Sequence, residues 1–486
     1  MRASYPLDFL RLDAGVREPL HRQLCDQLRE LILEGTLPGG AGLPSIRALA
    51  HTLGIGRNTV ISAYDQLVAE GYLESRQGSG TRVVKLCEHL LRVMGPGQQQ
   101  SPRPTPALSS RGVMMTEQPR VRSFPGKPAF HPGTPELASF PFKVWSRLLA
   151  RKARFGGEDL FGYHYLTGLP DLRRSIASYI VGSRRVRCTA DQIVITTGAQ
   201  AALDLLARLL LDEGDGVWME EPGYLGAQSA FLGAGARLIP LSVDRDGWRI
   251  TADVSPKPRL IYLTPSCQQP LGITMPLEQR LMVLEVARRE GIWIIEDDFD
   301  GEYPFRGQPV PAIQGLSENA PVIYVGTFAK TLFPSMRLGF IVLPVNLAER
   351  AKLAINVTGQ FPPLILQAAL ADFMAQGHFF LHLNRMRRLY GHRRRLFLKL
   401  CEDYLGEWLE PLDGRTGIQI TAFLKTPADD RAIAEQAVRR GVNLVPLSQY
   451  YRTSPPRPGF VMGYAASSDS TTEESFKTLR EVFLQF

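Results

Sequence analysis

Two repeating patterns of hydrophobic and polar positions divide most of this chain into predicted strands and helices. Beyond residue 190, short apolar runs end in polar residues or glycine at 192–198, 216–224, 259–265, 291–300 and 321–330. Helical spacing appears between them, most clearly in residues 199–214 and 278–291. This alternation predicts an α/β fold with a mostly parallel sheet and helices on both faces. The functional site of such a sheet lies at the carboxyl ends of its strands.

The first 85 residues show a different order of elements. Apolar positions at helical spacing predict helices in residues 19–35, 45–55 and 57–71, followed by two short strands in 72–84 around a glycine-rich tip at 77–80. Gly54 and Gly56 mark the turn between the second and third helices. This order predicts a winged helix-turn-helix whose third helix enters the major groove of DNA. The pattern alone leaves open a small helical protein-interaction module.

Candidate DNA contacts cluster around the predicted third helix. Its exposed start offers side chains that reach phosphate oxygens and base edges, and the supporting helix begins with an N-cap serine and an arginine. The wing tip adds a further approach to the duplex. The candidate contacts are Ser45, Arg47, Arg57, Asn58, Thr59 and Gly78.

A third region, of different composition, lies between these two regions. Residues 86–127 are rich in Pro, Gln, Ser and Gly and have no sustained period, so we interpret them as a linker between a DNA-binding domain (1–85) and a large domain (128–486). Of the formal net charge of +8, the linker's six basic and two acidic residues supply +4. Residues 1–85 hold ten basic and nine acidic residues, a net +1. We therefore expect DNA binding to depend on a dimer and on the basic linker.

The remaining composition excludes several classes of protein. The five cysteines are scattered and form no CxxC motif, which argues against a disulfide scaffold and a cysteine zinc site and favours a reducing compartment. No apolar run approaches the roughly 20 residues that span a bilayer. We expect a soluble cytoplasmic protein with no metal site and no membrane partner.

The large domain carries a lysine, an aspartate and an arginine that are weak signals individually. Lys330 and Asp297 follow apolar runs, and Arg337 comes seven residues after the lysine. A lysine amine forms a Schiff base with an aldehyde, and a carboxylate opposite a pyridine nitrogen keeps it protonated. An arginine beside a helix N-terminus binds phosphate. Together the three describe a site for a carbonyl cofactor.

Each of the two domains resembles a known protein family. Residues 43–83 (LPSIRALAHTLGIGRNTVISAYDQLVAEGYLESRQGSGTRV) resemble the GntR-type DNA-binding domain, although Gly42 and Gly56 stand where a basic residue and a serine are usual. From about residue 128 to the end, the motifs WIIEDDFDGEY and VGTFAKTLFPSMRLGF resemble the aspartate-aminotransferase superfamily of fold type I, which uses pyridoxal 5′-phosphate. The two together resemble the MocR/GabR family of bacterial transcription regulators.

The aminotransferase resemblance implies a role for each candidate site residue. Lys330 would be the lysine that carries the cofactor, and Asp297 the partner of the pyridine nitrogen. Tyr224 would stack on the ring and Gln269 would supply an amide to the ring hydroxyl. The resemblance implies phosphate contacts from Thr327, Arg337, the backbone of Ala199 and Gln200, and Tyr163 across a dimer.

The family resemblance also implies partners and leaves alternatives. It implies a head-to-tail homodimer that binds double-stranded promoter DNA, responds to pyridoxal phosphate and a small amine effector, and controls amine, amino-acid or vitamin B6 genes. Departures from the family are Phe299 for Tyr, Ala329 for Ser and Cys267 for His. Phe460 stands near the place where aminotransferases have an arginine that binds the substrate carboxylate, and Arg457 is the nearest substitute. We expect weak or absent transamination. The alternatives are a working aminotransferase with a DNA-binding domain and a regulator that has lost the cofactor.

Overall fold

The computed structural model describes residues 5–76, 80–85, 107–117, 129–162, 164–251, 256–305, 307–453 and 455–486. The chain divides into two compact units, Met1–Ala107 and Leu108–Phe486, here called the head and the body.

The described residues of the head form three helices followed by two antiparallel strands. These elements are α1 (Leu20–Leu33), α2 (Ile46–Leu53), α3 (Arg57–Ala69), β1 (Leu73–Arg76) and β2 (Gly80–Val83). The Ser45 side chain accepts a hydrogen bond from the backbone N–H of Ala48, as predicted for the N-cap of α2. Gly54 ends α2 at φ 65°, a left-handed conformation that favours glycine. The winged helix-turn-helix order predicted from the sequence is therefore present.

The sheet of the body has eight strands in the order β3-β10-β9-β8-β7-β4-β5-β6. Their bounds are β3 (Ile193–Thr196), β4 (Gly216–Glu221), β5 (Arg237–Asp244), β6 (Gly247–Trp248), β7 (Leu260–Leu263), β8 (Trp293–Asp298), β9 (Val322–Thr327) and β10 (Gly339–Val342). Strands β5, β4, β7, β8 and β9 pair in parallel, while β10 is antiparallel to both β9 and β3. The mostly parallel sheet is confirmed, and each of the five predicted apolar runs contains a strand.

Helices cover the large sheet, and the described part of the body also contains a smaller sheet of four antiparallel strands. The helices are α4 (Ser110–Glu117), α5 (Phe142–Phe155), α6 (Pro170–Arg184), α7 (Ala199–Leu210), α8 (Leu225–Gly233), α9 (Leu277–Glu290), α10 (Val345–Thr358), α11 (Leu364–Ala375), α12 (His378–Leu405), α13 (Asp430–Arg439) and α14 (Asp469–Phe483). The small sheet has the order β11-β12-β14-β13, with β11 (Leu409–Pro411), β12 (Gln419–Leu424), β13 (Val445–Pro446) and β14 (Gly459–Gly463).

One helix, α4, lies inside the range that the sequence analysis interprets as a linker. It packs against α8, and Arg111 on α4 pairs with Glu213 at 3.8 Å. The compact body therefore includes residues from 108 onward, whereas the rest of the predicted linker, 86–106 and 118–127, lies outside the described residues.

No single helix among the described ranges is long and apolar enough to cross a membrane; α11 and α12 satisfy the length and composition test only as a pair bent by 74°.

Candidate cofactor site and DNA-binding face

A cavity of about 320 Å³ opens at the carboxyl ends of the central strands, where Asp297 on β8 and Thr327 on β9 reach the sheet edge. This is the place predicted for the site. Most of the residues proposed from the sequence line this one cavity: Ala199, Gln200, Tyr224, Gln269, Asp297, Phe299, Thr327, Ala329, Lys330 and Arg337. The fold thus brings together side chains from segments more than 130 residues apart.

Lys330 follows β9 by three residues and is held by the backbone of another segment. Its Nζ donates a hydrogen bond to the carbonyl oxygen of Gly133 at 2.6 Å. A Cβ at Gly133, which has φ +69°, would collide with that Nζ, so glycine is what lets the lysine approach. Burial lowers the pKa of Lys330, while the carboxylates of Asp300 and Asp297 act in the opposite direction. The amine is thereby shifted toward its neutral, nucleophilic form.

The two carboxylate oxygens of Asp297 differ in their hydrogen bonding. Its Oδ2 accepts a hydrogen bond from the Tyr262 hydroxyl at 2.8 Å, whereas its Oδ1 is buried and has no hydrogen-bond partner in the part of the chain that the structure describes. Burial raises the pKa of Asp297 to about 7, and the hydrogen bond from Tyr262 opposes that shift. Because buried carboxylate oxygens are normally hydrogen-bonded, an unpartnered oxygen on a residue that lines the cavity is a place for a donor from a ligand.

The guanidinium of Arg337 lies close to the beginning of α7. Gly198, at φ +85°, precedes the helix, and a Cβ built on it would lie 3.7 Å from the Arg337 guanidinium carbon. Ala199 and Gln200 are the first helical residues, so their backbone N–H groups belong to the set without intrahelical acceptors. The Gln200 side chain is used differently, donating to the Gly226 carbonyl oxygen at 2.9 Å. A phosphate fits this combination of guanidinium and helix N-terminus.

Tyr224, Gln269 and Phe299 form a further part of the cavity lining. Tyr224 faces the cavity, and burial raises the pKa of its hydroxyl to about 12. The Gln269 side-chain oxygen accepts a hydrogen bond from Gln419 Nε2 at 2.7 Å, which orients the Gln269 amide. Phe299 also lines the cavity, and its side chain has no polar atom.

The cavity is also lined by residues that were not predicted from the sequence, among them His131, Gln419 and Tyr450. His131 Nδ1 lies 2.9 Å from Thr134 Oγ1, which fixes the ring. These residues come from a loop before α5, from β12 and from the short helical turn after β13. The sequence pattern of those segments predicts only helices, strands and loops and no functional role. These residues could therefore be assigned to the cavity of Lys330 only from the folded structure.

Two candidate residues are not placed with the others. Arg457 is not among the residues that line the cavity: its guanidinium carbon lies 3.5 Å from the centre of the Phe423 ring, and its Nη2 is 3.5 Å from Glu410. Tyr163 lies outside the described residues.

Three of the candidate residues of the head lie together. Ser45, Arg47 and Arg57 line a shallow depression that also includes His51 and Thr52. Asn58 and Thr59 occupy the first turn of α3, where Asn58 is exposed and Thr59 is half-buried. The last candidate in the head, Gly78 in the wing tip, lies outside the described residues.

The residues of the cavity fit pyridoxal 5′-phosphate. Lys330 offers an amine of lowered pKa for the aldehyde, and the unpartnered Asp297 Oδ1 offers an acceptor for a protonated ring nitrogen. Arg337 and the start of α7 offer a site for the phosphate. Fold and site together define a cofactor-dependent aminotransferase-like body joined to a DNA-binding head.

Comparison with known proteins agrees with this definition. The sequence profile of aminotransferase class I and II matches residues 136–474, and that of bacterial regulatory proteins of the gntR family matches residues 20–83. A protein of Rhizobium meliloti named "Probable rhizopine catabolism regulatory protein MocR" is 50% identical over 475 residues, which cover 98% of this chain and 96% of that protein. The pyridoxine biosynthesis transcriptional regulator PdxR of Corynebacterium glutamicum is 29% identical over 450 residues, 92% of each chain.

Solved aminotransferases match the body. Kynurenine aminotransferase of Pyrococcus horikoshii, crystallised with PMP, superposes with a TM-score of 0.68 at 26% identity over 73% of this chain and 89% of that one. LysN, an α-aminoadipate aminotransferase of Thermus thermophilus, gives 0.68 at 26% identity over 74% and 92%. The chain belongs to the MocR family of transcription regulators, with a GntR-type head and a fold type I body. Its cofactor is pyridoxal 5′-phosphate.

Proposed function

We propose that the Lys330 cavity makes the promoter binding of this regulator responsive to pyridoxal phosphate and to a small amine. The observation that carries the proposal is the convergence of Lys330, Asp297 and Arg337 on one cavity in a chain with a GntR-type head. When bound, the cofactor supplies an electrophilic aldehyde and an electron-withdrawing ring. Lys330 holds it covalently, Asp297 keeps its ring nitrogen charged, and Arg337 holds its phosphate.

The proposed effector is an amine that competes with Lys330 for the cofactor. An α-carboxylate is not what this site is built to select, because Arg457 is engaged with Phe423 and Glu410 rather than with the cavity. The cavity lining also offers the neutral amides of Gln269 and Gln419. These groups suit hydroxyl or other uncharged polar substituents.

The proposed output is control of metabolic genes in the cytoplasm. The names of the relatives refer to rhizopine catabolism and to pyridoxine biosynthesis, which supports target genes of amine, amino-acid or vitamin B6 metabolism. We propose that two chains form a head-to-tail homodimer, that Tyr163 reaches the phosphate of the partner's cofactor, and that the two heads bind paired half-sites in double-stranded DNA. Ser45, Arg47, Arg57, Asn58, Thr59 and the wing around Gly78 are the proposed DNA contacts.

A working aminotransferase is the second candidate function, because Lys330, Asp297 and Arg337 would serve catalysis equally well. The two functions differ in turnover. We expect an added amine to change the absorbance spectrum of the cofactor-loaded protein and its promoter affinity, without sustained production of carbonyl product. Steady turnover at about 1 per second or faster would favour the enzyme.

The test uses full-length protein titrated with pyridoxal phosphate and then with a series of amines that carry either a carboxylate or hydroxyl groups. Absorbance, promoter binding and product formation are measured on the same samples. A spectral response to amines that leaves promoter binding unchanged would contradict the regulatory role. A stronger response to the carboxylate series would contradict the assignment of an uncharged effector.

A further inference from the structure

Two consecutive aspartates at the end of β8 are each hydrogen-bonded by one buried tyrosine from a flanking strand. Tyr262 on β7 donates to Asp297 Oδ2 at 2.8 Å, and Tyr324 on β9 donates to Asp298 Oδ2 at 2.6 Å. Both tyrosines are at most 1% exposed. Because successive residues of a strand point to opposite faces of the sheet, the two pairs are separate.

The two aspartates differ in what else holds their charge. Asp298 is paired with the buried guanidinium of Arg184, so its negative charge is compensated inside the protein. Asp297 has no ion pair among the described residues. Within the described ranges its Oδ1 has no hydrogen-bond partner, and the Tyr262 hydroxyl is the donor to this carboxylate.

Tyr262 itself does not line the cavity, so it would act on a ligand only through Asp297. A hydroxyl on Oδ2 fixes the rotation of the carboxylate and leaves Oδ1 as the free acceptor of this cavity-lining residue. It also favours the charged carboxylate over the neutral acid, since a hydrogen bond to the charged form stabilises that form. The direction agrees with the pKa of Asp297, which burial raises to about 7 and the Tyr262 bond lowers.

We propose that Tyr262 is a positioning residue that holds Asp297 ionised and oriented toward the ring nitrogen of the cofactor. The inference rests on the proposed use of the cavity for pyridoxal phosphate. It assigns Tyr262 a role that Tyr324, an equally buried tyrosine on the other flank of β8, does not have.

The test compares Tyr262→Phe with the matched control Tyr324→Phe in the full-length protein. Cofactor affinity is measured with pyridoxal phosphate and with its analogue in which carbon replaces the ring nitrogen. A hydrogen bond to a charged group is worth enough that Tyr262→Phe should weaken pyridoxal phosphate binding on the order of tenfold. Binding of the analogue should be unchanged, because that ring makes no use of the Asp297 charge. Tyr324→Phe should leave the ratio of the two affinities at the wild-type value.

A double-mutant cycle completes the test. In an Asp297→Asn background, the additional Tyr262→Phe change should no longer alter affinity for pyridoxal phosphate, since the two residues act as one unit. Unaltered analogue binding shows that a variant is folded. Equal loss of both ligands in Tyr262→Phe, equal effects of the two tyrosine variants, or additive effects with Asp297→Asn would each overturn the inference. Failure of the wild-type protein to bind pyridoxal phosphate would instead contradict the proposed function.

Discussion

Replacing Arg337 by glycine should affect cofactor binding and folding stability in opposite directions. Arg337 adopts φ 51°, a left-handed conformation that costs a non-glycine residue about 1–2 kcal/mol. Its guanidinium also lies beside Gly198 at the positive end of α7, where a cation is unfavourable in the absence of an anion by about 0.3–1 kcal/mol. In the cofactor-free protein, both effects favour the variant.

The magnitude follows from setting these terms against what is lost. Glycine gives the unfolded chain additional freedom worth about 0.4–1 kcal/mol, so the net gain in stability of the cofactor-free protein should be about 1 kcal/mol. The variant loses charge-assisted hydrogen bonds to the phosphate, worth about 1.5–3 kcal/mol. At about 1.4 kcal/mol per tenfold, pyridoxal phosphate should bind about 10- to 100-fold more weakly.

The assay pairs denaturant unfolding of the cofactor-free protein with spectroscopic titration of pyridoxal phosphate. Arg185→Gly is the matched control, because Arg185 is a second exposed arginine at positive φ, 55°, after the end of α6. That variant should share the backbone effect and retain wild-type cofactor affinity. If Arg337→Gly binds pyridoxal phosphate as tightly as the wild type, then the guanidinium does not hold the phosphate and the assigned phosphate site is wrong.

Three further predictions concern pH, the ring oxygen and DNA. Burial raises the pKa of Asp297 from 3.8 to about 7, so between these pH values the folded cofactor-free protein keeps a proton that the unfolded chain releases, and its stability falls as the pH rises. Asp297→Asn should reduce this fall, measured by denaturant unfolding at pH 5, 6 and 7. An unchanged fall would contradict the assigned pKa of Asp297. Phe299→Tyr adds a donor toward the ring oxygen of the Lys330-bound cofactor and should lower the midpoint of its spectrophotometric pH titration, whereas Gln269→Leu removes one and should raise it; two unmoved midpoints would show that neither side chain faces that oxygen. Arg57→Ala should weaken promoter binding by about 1–3 kcal/mol per head if Arg57 reads a base, with a steep salt dependence in the wild type, and wild-type binding by a fragment lacking residues 1–85 would contradict the head's role.

The central part of the site could be predicted because it lies on the regular elements. Lys330 and Asp297 each follow a run of apolar, partly β-branched residues, and parallel strands bring such ends to one edge of the sheet. The N-cap role of Ser45 could also be predicted, because its donor, the backbone N–H of Ala48, is only three residues away. Local chemistry and simple topology were sufficient for these positions.

The remainder of the site depends on long-range packing that no local pattern records. Gly133 and Gln419 reach the cavity from segments nearly 200 and 90 residues away from Lys330, one as a backbone carbonyl and the other through an amide. Arg457 has the chemistry expected of an effector contact, but the face of Phe423 and the carboxylate of Glu410 offer it a nearby alternative. Helix α4 could not be predicted from the sequence, because it is a short element in a Pro- and Ser-rich stretch and is stabilised by contact with α8.

The most direct measurement is the position of the cofactor on the chain. Full-length protein is incubated with pyridoxal phosphate, reduced with borohydride, digested and analysed by mass spectrometry, with Lys330→Ala treated in parallel. We predict one pyridoxyl-phosphate group per chain, on Lys330, and neither a visible cofactor band nor stoichiometric labelling in Lys330→Ala. Stoichiometric labelling of another lysine, or a Lys330→Ala protein that retains the band, would contradict the account.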